Sequence, residues 1–303
     1  MKKRIIITGG AGQDGIILSK SLSKKNYIVH SIINKKKIIK LDFVKYHRIN
    51  LLKKDYISKL IRKIKPHAII HLAAKNVSAK DSQKTKYNIF YKNNLLMTKN
   101  LIHSLIENDV GIKFIFAGSS LMFSKTSGIV NENSKFKSNC YYSKYKIDAH
   151  KYILKLKEKF NLLTTTAILF NHDSIYRNSK FLLPRLVSYL KKKQLNEIKK
   201  IFNENIIGDF SHAEDICNGI SLLLKLNKYP NKIIFSSNKF TKINDFINYG
   251  IKRYKIKNSK LKTENKNLKL IGDNRFAKKL LNWKIKKNSF LAFKELLNKK
   301  LPN

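Results

Sequence analysis

Four of the eleven glycines in this 303-residue chain, Gly9, Gly10, Gly12 and Gly15, fall within seven positions directly behind the apolar run Ile5-Ile6-Ile7. An apolar run that stops at clustered glycines predicts a strand turning sharply into a helix. Glycine permits the tight turn, and the N–H groups of the following helix start are left open to an anion. The spacing Gly9-x-x-Gly12-x-x-Gly15 departs from the familiar G-x-G-x-x-G, so its setting decides the reading. Ile16, Ile17, Leu18 and Leu22 open an apolar-rich helical segment immediately after it. A strand, a glycine turn and a helix in that order point to a dinucleotide site.

Composition narrows the class further. At 43% hydrophobic the chain has enough apolar residues for one large core or two modest ones. Behind Met1-Lys2-Lys3-Arg4 only three apolar residues precede the glycines, too few for a signal-peptide core, and no stretch of eighteen apolar residues occurs. Cys140 and Cys217 are far apart and lack metal-ligand spacing, so both are expected to remain thiols in a reducing compartment, the cytoplasm. The net charge of +45 raises the question of nucleic acid. Of the 64 basic residues, however, only seven are arginine, the residue that bidentate phosphate and guanine recognition favours. The lysines are spread over almost every segment, which reads as compositional drift with solvated helix faces. Neither nucleic acid nor a membrane is expected as a partner, while anionic small molecules will be attracted.

Along the chain, strand-like and helix-like segments alternate. Tyr27 to Ile32 predicts a second strand. Tyr56, Ile57, Leu60, Ile61 and Ile64 share a helix face that ends before Pro66, and Ala68 to Ala74 predicts a buried strand. A helix is expected over Asn94 to Glu107, a strand over Lys113 to Ala117 ending in Gly118-Ser119-Ser120, a long helix over Cys140 to Lys159 and a strand over Thr165 to Phe170. Lys191-Lys192-Lys193 reads as the decoration of a helix end. The fold class is α/β, a Rossmann-like doubly wound parallel sheet with a smaller C-terminal α/β substrate lobe. Residues 1–171 with about 209–237, including the returning strand Ile233-Ile234-Phe235, form the dinucleotide domain. About 172–208 with 238–303 form the lobe.

Tyr142 and Lys146 stand four apart, so on one helix they share a face. A phenol of ordinary pKa near 10 must fall by roughly three units, about 4 kcal/mol, to accept a proton near neutrality. A neighbouring ammonium can contribute to that. The spacing alone is weak, since Tyr176 with Lys180 and Tyr189 with Lys193 repeat it. Only Tyr142 lies just downstream of the Ser119-Ser120 strand end. Glycine loop, serine after a later strand and then Tyr-x-x-x-Lys, in that order, point to a functional role for Tyr142 and Lys146.

With these features the chain resembles the extended short-chain dehydrogenase/reductase superfamily, and within it most resembles the GDP-mannose 4,6-dehydratase family. The likeness runs through Thr8-Gly9-Gly10-Ala11-Gly12-Gln13-Asp14-Gly15, Tyr27-Ile28-Val29-His30, Glu132-Asn133-Ser134-Lys135-Phe136 and Ile168-Leu169-Phe170-Asn171-His172-Asp173-Ser174. It continues through Asp209-Phe210-Ser211-His212-Ala213-Glu214-Asp215 and closes at Gly272-Asp273, Ala277 and Trp283. The resemblance implies that Ser119 bonds the sugar hydroxyl, Tyr142 removes its proton, and Lys146 holds the nicotinamide ribose and lowers the phenol's pKa. It places Thr8, Gly9, Gly12, Gln13, Asp14, Gly15, Asn34, Lys35, Asn50, Leu72, Ala73 and Ala74 on the cofactor, together with Tyr142 and Lys146. Ser119, Asn171 and Arg185 fall on the substrate. His172 and His212 are read as structural hydrogen-bonding residues, and no spacing supports a metal. At the end of the second strand, Ile33, Asn34, Lys35 and Lys36 replace the acidic residue that typically binds the ribose of NAD, so NADP is favoured over NAD. The partner implied is a nucleotide sugar, a GDP-hexose, and the assembly implied is a homodimer or higher homo-oligomer.

Several positions depart from the family pattern. The glutamate two residues after the loop serine or threonine is Leu121 here, and 118–128 contains no carboxylate. The arginine expected before Asp209 is Gly208, and another before Gly272 is absent, with Lys262 a candidate stand-in. Asn50 stands for an aspartate near the adenine. Dehydration between C5 and C6 needs acid–base help that Leu121 cannot give. Epimerisation at C4 or reduction of a 4-keto sugar therefore stands beside the dehydratase reading. A non-catalytic NADP-sensing protein is the rival from another class, and it would have no need of Tyr142 and Lys146.

Overall fold

The computed structural model describes residues 2–34, 38–75, 84–124, 128–257 and 269–299, apart from the side chains of 84–87 and 269. Strand β1 (Lys3–Thr8) is followed by helix α1 (Gln13–Lys24), β2 (Tyr27–Ile33), β3 (Val44–Arg48), α2 (Lys54–Ile64), β4 (Ala68–His71), α3 (Lys84–Asn108) and β5 (Lys113–Ala117). Next come a single 3₁₀ turn (Ser120–Met122), β6 (Gly128–Val130), α4 (Tyr141–Phe160), β7 (Thr164–Leu169) and β8 (Asn171–Asp173). The remainder comprises α5 (Leu182–Lys191), α6 (Leu195–Asn203), β9 (Ile207–Gly208), β10 (Phe210–His212), α7 (Ala213–Leu223), β11 (Lys232–Phe235) and β12 (Thr241–Lys242). It finishes with α8 (Ile243–Arg253), β13 (Lys269–Gly272), α9 (Arg275–Leu281) and α10 (Ser289–Asn298).

The main sheet has seven parallel strands in the order β11-β7-β5-β4-β1-β2-β3. Strand order reverses between β1 and β4, and a crevice opens beyond the carboxyl ends of strands at such a point. The isoleucine run of β1 shows how the layers form. Successive side chains on a strand face opposite ways, so Ile5 and Ile7 join the cluster of Leu18, Leu22, Ile216 and Ile220 under α1 and α7, while Ile6 joins Leu60, Ile61, Leu101, Leu105, Ala149 and Ile153 under α2, α3 and α4. Phe114 and Phe116 of β5 face the second layer and Ile115 the first. A parallel sheet covered on both faces is the architecture the sequence predicts.

Helix α2 ends at Lys65 in the left-handed region (φ 49°) because Pro66 cannot continue it. Helix α4, which carries Tyr142 and Lys146, begins at Cys140. The Cys140 sulfur accepts the Ser143 N–H at 3.4 Å while Ser143 Oγ accepts the Cys140 N–H at 3.1 Å, a reciprocal cap.

A second cluster joins Leu186, Leu190, Ile198, Phe246, Ile247 and Phe293 of α5, α6, α8 and α10. Beside it lie a four-stranded sheet ordered β12-β9-β13-β6 and the parallel pair β8-β10. The span 238–303 is shared between the two cores. Helix α10 packs in the second cluster, whereas Ala277 and Trp283 lie under the main sheet, with Trp283 Nε1 donating to the Asp215 carbonyl at 2.9 Å. Among the described residues no helix is long and apolar enough to cross a membrane.

Candidate active site

The glycine loop joins β1 to α1 at the point of strand reversal. Gly9 has φ +74°, and a Cβ there would lie 3.0 Å from Ala73 N, so the residue must be glycine both for its dihedral and for its close approach to the strand β4 exit. That exit is fastened to the loop. Ala73 N donates to Thr8 Oγ1 at 3.1 Å, Leu72 N donates to Thr8 O at 3.3 Å, and Thr8 Oγ1 lies 2.7 Å from Nδ1 of buried His71. Leu72, Ala73 and Ala74 are thereby brought beside Gly9.

Gly12 is the N-cap of α1 and has no side chain with which to bond the first-turn N–H groups; the only atom a Cβ there would approach is Gly9 O, at 3.2 Å. An uncapped helix start behind a side-chain-free turn leaves N–H groups open to an anion. Gly15 secures the other side, where a Cβ would come within 2.6 Å of both Gly10 Cα and Gly9 O. Backbone on both sides leaves no flexible neighbour to yield. Gly15→Ala is therefore expected to cost roughly 2–3 kcal/mol of stability and to weaken NADP binding, measured by chemical denaturation and by titration. An unchanged unfolding midpoint would show that the loop can shift freely.

At the adenosine end, Asn34 is exposed just past β2. Lys35 and Lys36 lie outside the described residues, as does Lys262. Asn50, exposed beyond β3, accepts the Leu52 N–H on Oδ1 at 3.0 Å.

Ser119 and the Tyr142–Lys146 pair lie on two elements, the turn after β5 and helix α4. Ser119 follows β5 and caps the 3₁₀ turn, its Oγ accepting the Leu121 N–H at 3.2 Å, so its own proton remains free to donate. Tyr142 and Lys146 lie one turn apart on α4. Lys146 is 2% exposed, donates to the Ala117 carbonyl at 2.6 Å and sits over the rings of Phe116, Tyr145 and Tyr142 at 4.6, 4.9 and 5.6 Å. Burial lowers its pKa to about 7. Burial also pushes the Tyr142 phenol above its ordinary value, with the Arg177 charge acting in the opposite direction. The lowering that proton abstraction needs thus has to come from charge brought to the phenol.

A third group of residues stands against the glycine loop. His172 on β8 has Nδ1 2.6 Å from the Phe170 carbonyl and Nε2 3.0 Å from Asp14 Oδ1. Both neighbours are acceptors, so both nitrogens carry protons and the ring is an imidazolium. Burial works against charge on each partner, yet their mutual attraction overrides it. Asp14 falls to about 2, and His172 rises above the usual histidine range. Gln13 is also turned to this side, bonded to the His172 carbonyl and Ser174 Oγ. Asn171 opens β8 beside Phe210 of β10.

Arg177 carries its guanidinium 3.7 Å over the Phe181 ring, with Nε 3.6 Å from Asp173 Oδ1, and neither of those buried atoms has a hydrogen-bond partner. Arg185, half-buried on α5, has no ion-pair partner among the described residues. Gly208 is buried in β9. His212 caps α7, with Nδ1 accepting the Glu214 N–H and Nε2 donating to Glu295. Among the described residues no group of three His, Cys, Asp or Glu side chains could hold a metal.

Sequence reasoning overlooked Arg177. A signal was nevertheless present, because an arginine in a chain that otherwise supplies its positive charge with lysine marks a site that a flexible ammonium does not serve.

The family described as GDP-mannose 4,6 dehydratase matches residues 6–299. GDP-mannose 4,6 dehydratase 1 of Arabidopsis thaliana is 27% identical over 318 residues, covering 94% of this chain and 86% of its own length. ADP-L-glycero-D-manno-heptose-6-epimerase of Brachyspira hyodysenteriae is 28% identical over 230 residues, covering 70% and 69%. Among solved structures, UDP-glucose 4-epimerase of Thermotoga maritima superposes with a TM-score of 0.82 at 15% identity, covering 97% of both chains. dTDP-glucose 4,6-dehydratase of Bacillus anthracis in complex with NAD gives 0.81 at 16%, covering 97% and 95%.

Proposed function

The chain belongs to the GDP-mannose 4,6 dehydratase family, and on that premise we propose that it modifies a nucleotide sugar by oxidation at C4 of an NDP-hexose, GDP-linked. The observation that supports this reading is that Lys146, one turn from Tyr142 on α4, donates to the carbonyl of Ala117 at the end of β5, two residues before Ser119. A nicotinamide dinucleotide supplies the hydride acceptor at C4 when bound. Asn34, with lysines following it in sequence and no acidic residue there, supports NADP.

The chain's own residues handle the proton. Ser119 offers its free hydroxyl proton to the sugar oxygen, and Tyr142 takes the proton from the C4 hydroxyl. For that, the phenol must be lowered by about three units. Lys146 provides the charge by exchanging the Ala117 carbonyl for the ribose and phenol side of the crevice. Retention of Tyr142 and Lys146 counts against a purely NADP-sensing protein.

Leu121 supports a second reading of the step after oxidation. With an apolar side chain where the family has glutamate, C4 epimerisation or reduction of a 4-keto sugar requires no group that is missing, whereas C5 deprotonation does. Incubating the full chain with NADP and GDP-mannose in deuterated water, with the sugar observed by NMR, separates the outcomes. A 4-keto-6-deoxy product carrying deuterium establishes dehydration. Inverted C4 without exchange at C5 establishes epimerisation. Tyr142→Phe is expected to reduce either reaction by about 10²–10⁴ while leaving NADP binding intact. If no nucleotide sugar changes and Tyr142→Phe still binds NADP, the enzymatic reading fails in favour of sensing.

A further inference from the structure

The side chains of Gln13 and Asp14, although they belong to the glycine loop, are committed to a segment about 160 residues away. Gln13 is 6% exposed, and both of its polar atoms are used. Nε2 donates to the His172 carbonyl at 3.1 Å and to Asp14 Oδ1 at 3.0 Å, while Oε1 accepts from Ser174 Oγ at 3.0 Å. Asp14 Oδ1 receives the His172 imidazolium at 3.0 Å. Lower on α1, Lys20 Nζ donates to Tyr176 Oη at 2.6 Å. Helix α1 and segment 172–176 are therefore joined at three successive levels, by one ion pair and several hydrogen bonds.

The two ends of this joint face different ligands. The first turn of α1 presents the uncapped N–H groups at Gly12, and the far segment runs from Asn171, which the family resemblance puts on the substrate, to Arg177, whose guanidinium lies over the Phe181 ring. We propose that Gln13 and Asp14 are positioning residues that couple the two halves of the site. A ligand that settles the first turn of α1 also settles Asn171 and Arg177. Their side chains thereby serve the nucleotide sugar, while their backbone serves the cofactor. This inference rests on the NAD(P) and nucleotide-sugar reading of the site. The joint is suited to transmitting a small displacement because Gln13 has no spare polar atom through which to relax, and breaking any one bond strands a buried partner.

The test uses the full chain and three measurements. Binding of NADP and of a nucleoside diphosphate is titrated singly and together, with GDP, UDP and ADP tried in turn and the tightest retained. The wild type is expected to bind the diphosphate about 5- to 150-fold more tightly with NADP present, the usual range for linked sites. Gln13→Leu and Ser174→Ala are expected to bring that factor below about 2, a difference that a general loss of folding would not produce. Backbone hydrogen exchange of the wild type, which needs no variant, is expected to slow in 170–178 when NADP alone is added. An uncoupled wild type, full coupling in Ser174→Ala, or protection confined to residues 8–18 would each overturn the proposal. If neither NADP nor any diphosphate binds the wild type, the functional reading itself falls, a result distinct from binding without coupling.

Discussion

Replacing Lys146 with methionine is expected to raise the melting temperature of this chain while abolishing the C4 chemistry proposed for it. Lys146 is enclosed by three aromatic rings and satisfied by a single carbonyl, and its pKa is lowered by burial from 10.5 to about 7. At 1.36 kcal/mol per unit, holding the protonated form in the fold costs on the order of 5 kcal/mol. Methionine is of similar length and apolar. It removes that cost and leaves the Ala117 carbonyl unpaired, a penalty of about 1–3 kcal/mol. A net gain of about 2 kcal/mol corresponds to a rise of roughly 4–8 °C.

The sign has a pH signature. The folded pKa lies below the unfolded one, so the unfolded chain holds more protons between about pH 7 and 10.5, and wild-type stability from this group rises with pH across that window. The advantage of the variant should therefore be full at pH 7 and below and shrink towards pH 10.5. Calorimetry at pH 6.5, 8.5 and 10 checks it. An advantage that stays constant with pH would show that packing, rather than buried charge, is responsible. Activity should fall by at least the 10²–10⁴ expected for removing a group that tunes proton transfer, since Lys146 is the lysine one turn from Tyr142 on α4.

The second large effect is a gain. Leu121→Glu is expected to speed solvent exchange of the C5 proton of the bound sugar by about 10²–10⁴, the usual contribution of a positioned acid–base group. Leu121 is half-buried on the turn that Ser119 caps, so a carboxylate there is held close to the serine that addresses the sugar. The carboxylates already nearby have other duties. Asp14 is paired with His172, Glu132 accepts the Ile234 N–H at 2.8 Å, and Asp148 accepts the Tyr91 hydroxyl at 2.7 Å. Mass spectrometry of product formed in deuterated water measures the gain. Leu121→Glu protein that performs C4 chemistry at the wild-type rate without added C5 exchange would show that the position does not decide the reaction.

The parts of this molecule that could be read from the sequence are those where local pattern and tertiary role agree. The isoleucines of β1 alternate between two cores and stop at glycines that the turn requires, and both facts are visible in eleven consecutive residues. Helix α2 announced its buried face through Ile57, Leu60, Ile61 and Ile64, although Tyr56 on the predicted face is exposed, and its end through Pro66. Strand β3 gave no such signal. Val44-Lys45-Tyr46-His47-Arg48 is an edge strand with only Val44 buried, so it never had to display the hydrophobic alternation of a central one. Helix α3 begins at Lys84, ten residues before the predicted start, because its first turns are lysine- and asparagine-rich and carry little apolar periodicity. The site divides in the same way. The spacing of Tyr142 and Lys146 is local and was legible, whereas the imidazolium of His172 depends on Asp14, 158 residues away, a contact that only the fold creates.

That long separation also has a meaning in time. The Gln13 side chain waits for Ser174, 161 positions further on, whereas β1 has both of its sheet neighbours, β2 and β4, by residue 71. At a synthesis rate of about 5–20 residues per second, roughly 8 to 32 s pass between the emergence of the two partners. During that interval a nascent chain can already have formed the strand-turn-helix that meets a pyrophosphate. It has neither β7 nor the segment that fastens α1 from the other side. The half proposed to take the cofactor is therefore born first and is locked only when the segment carrying Ser174 arrives.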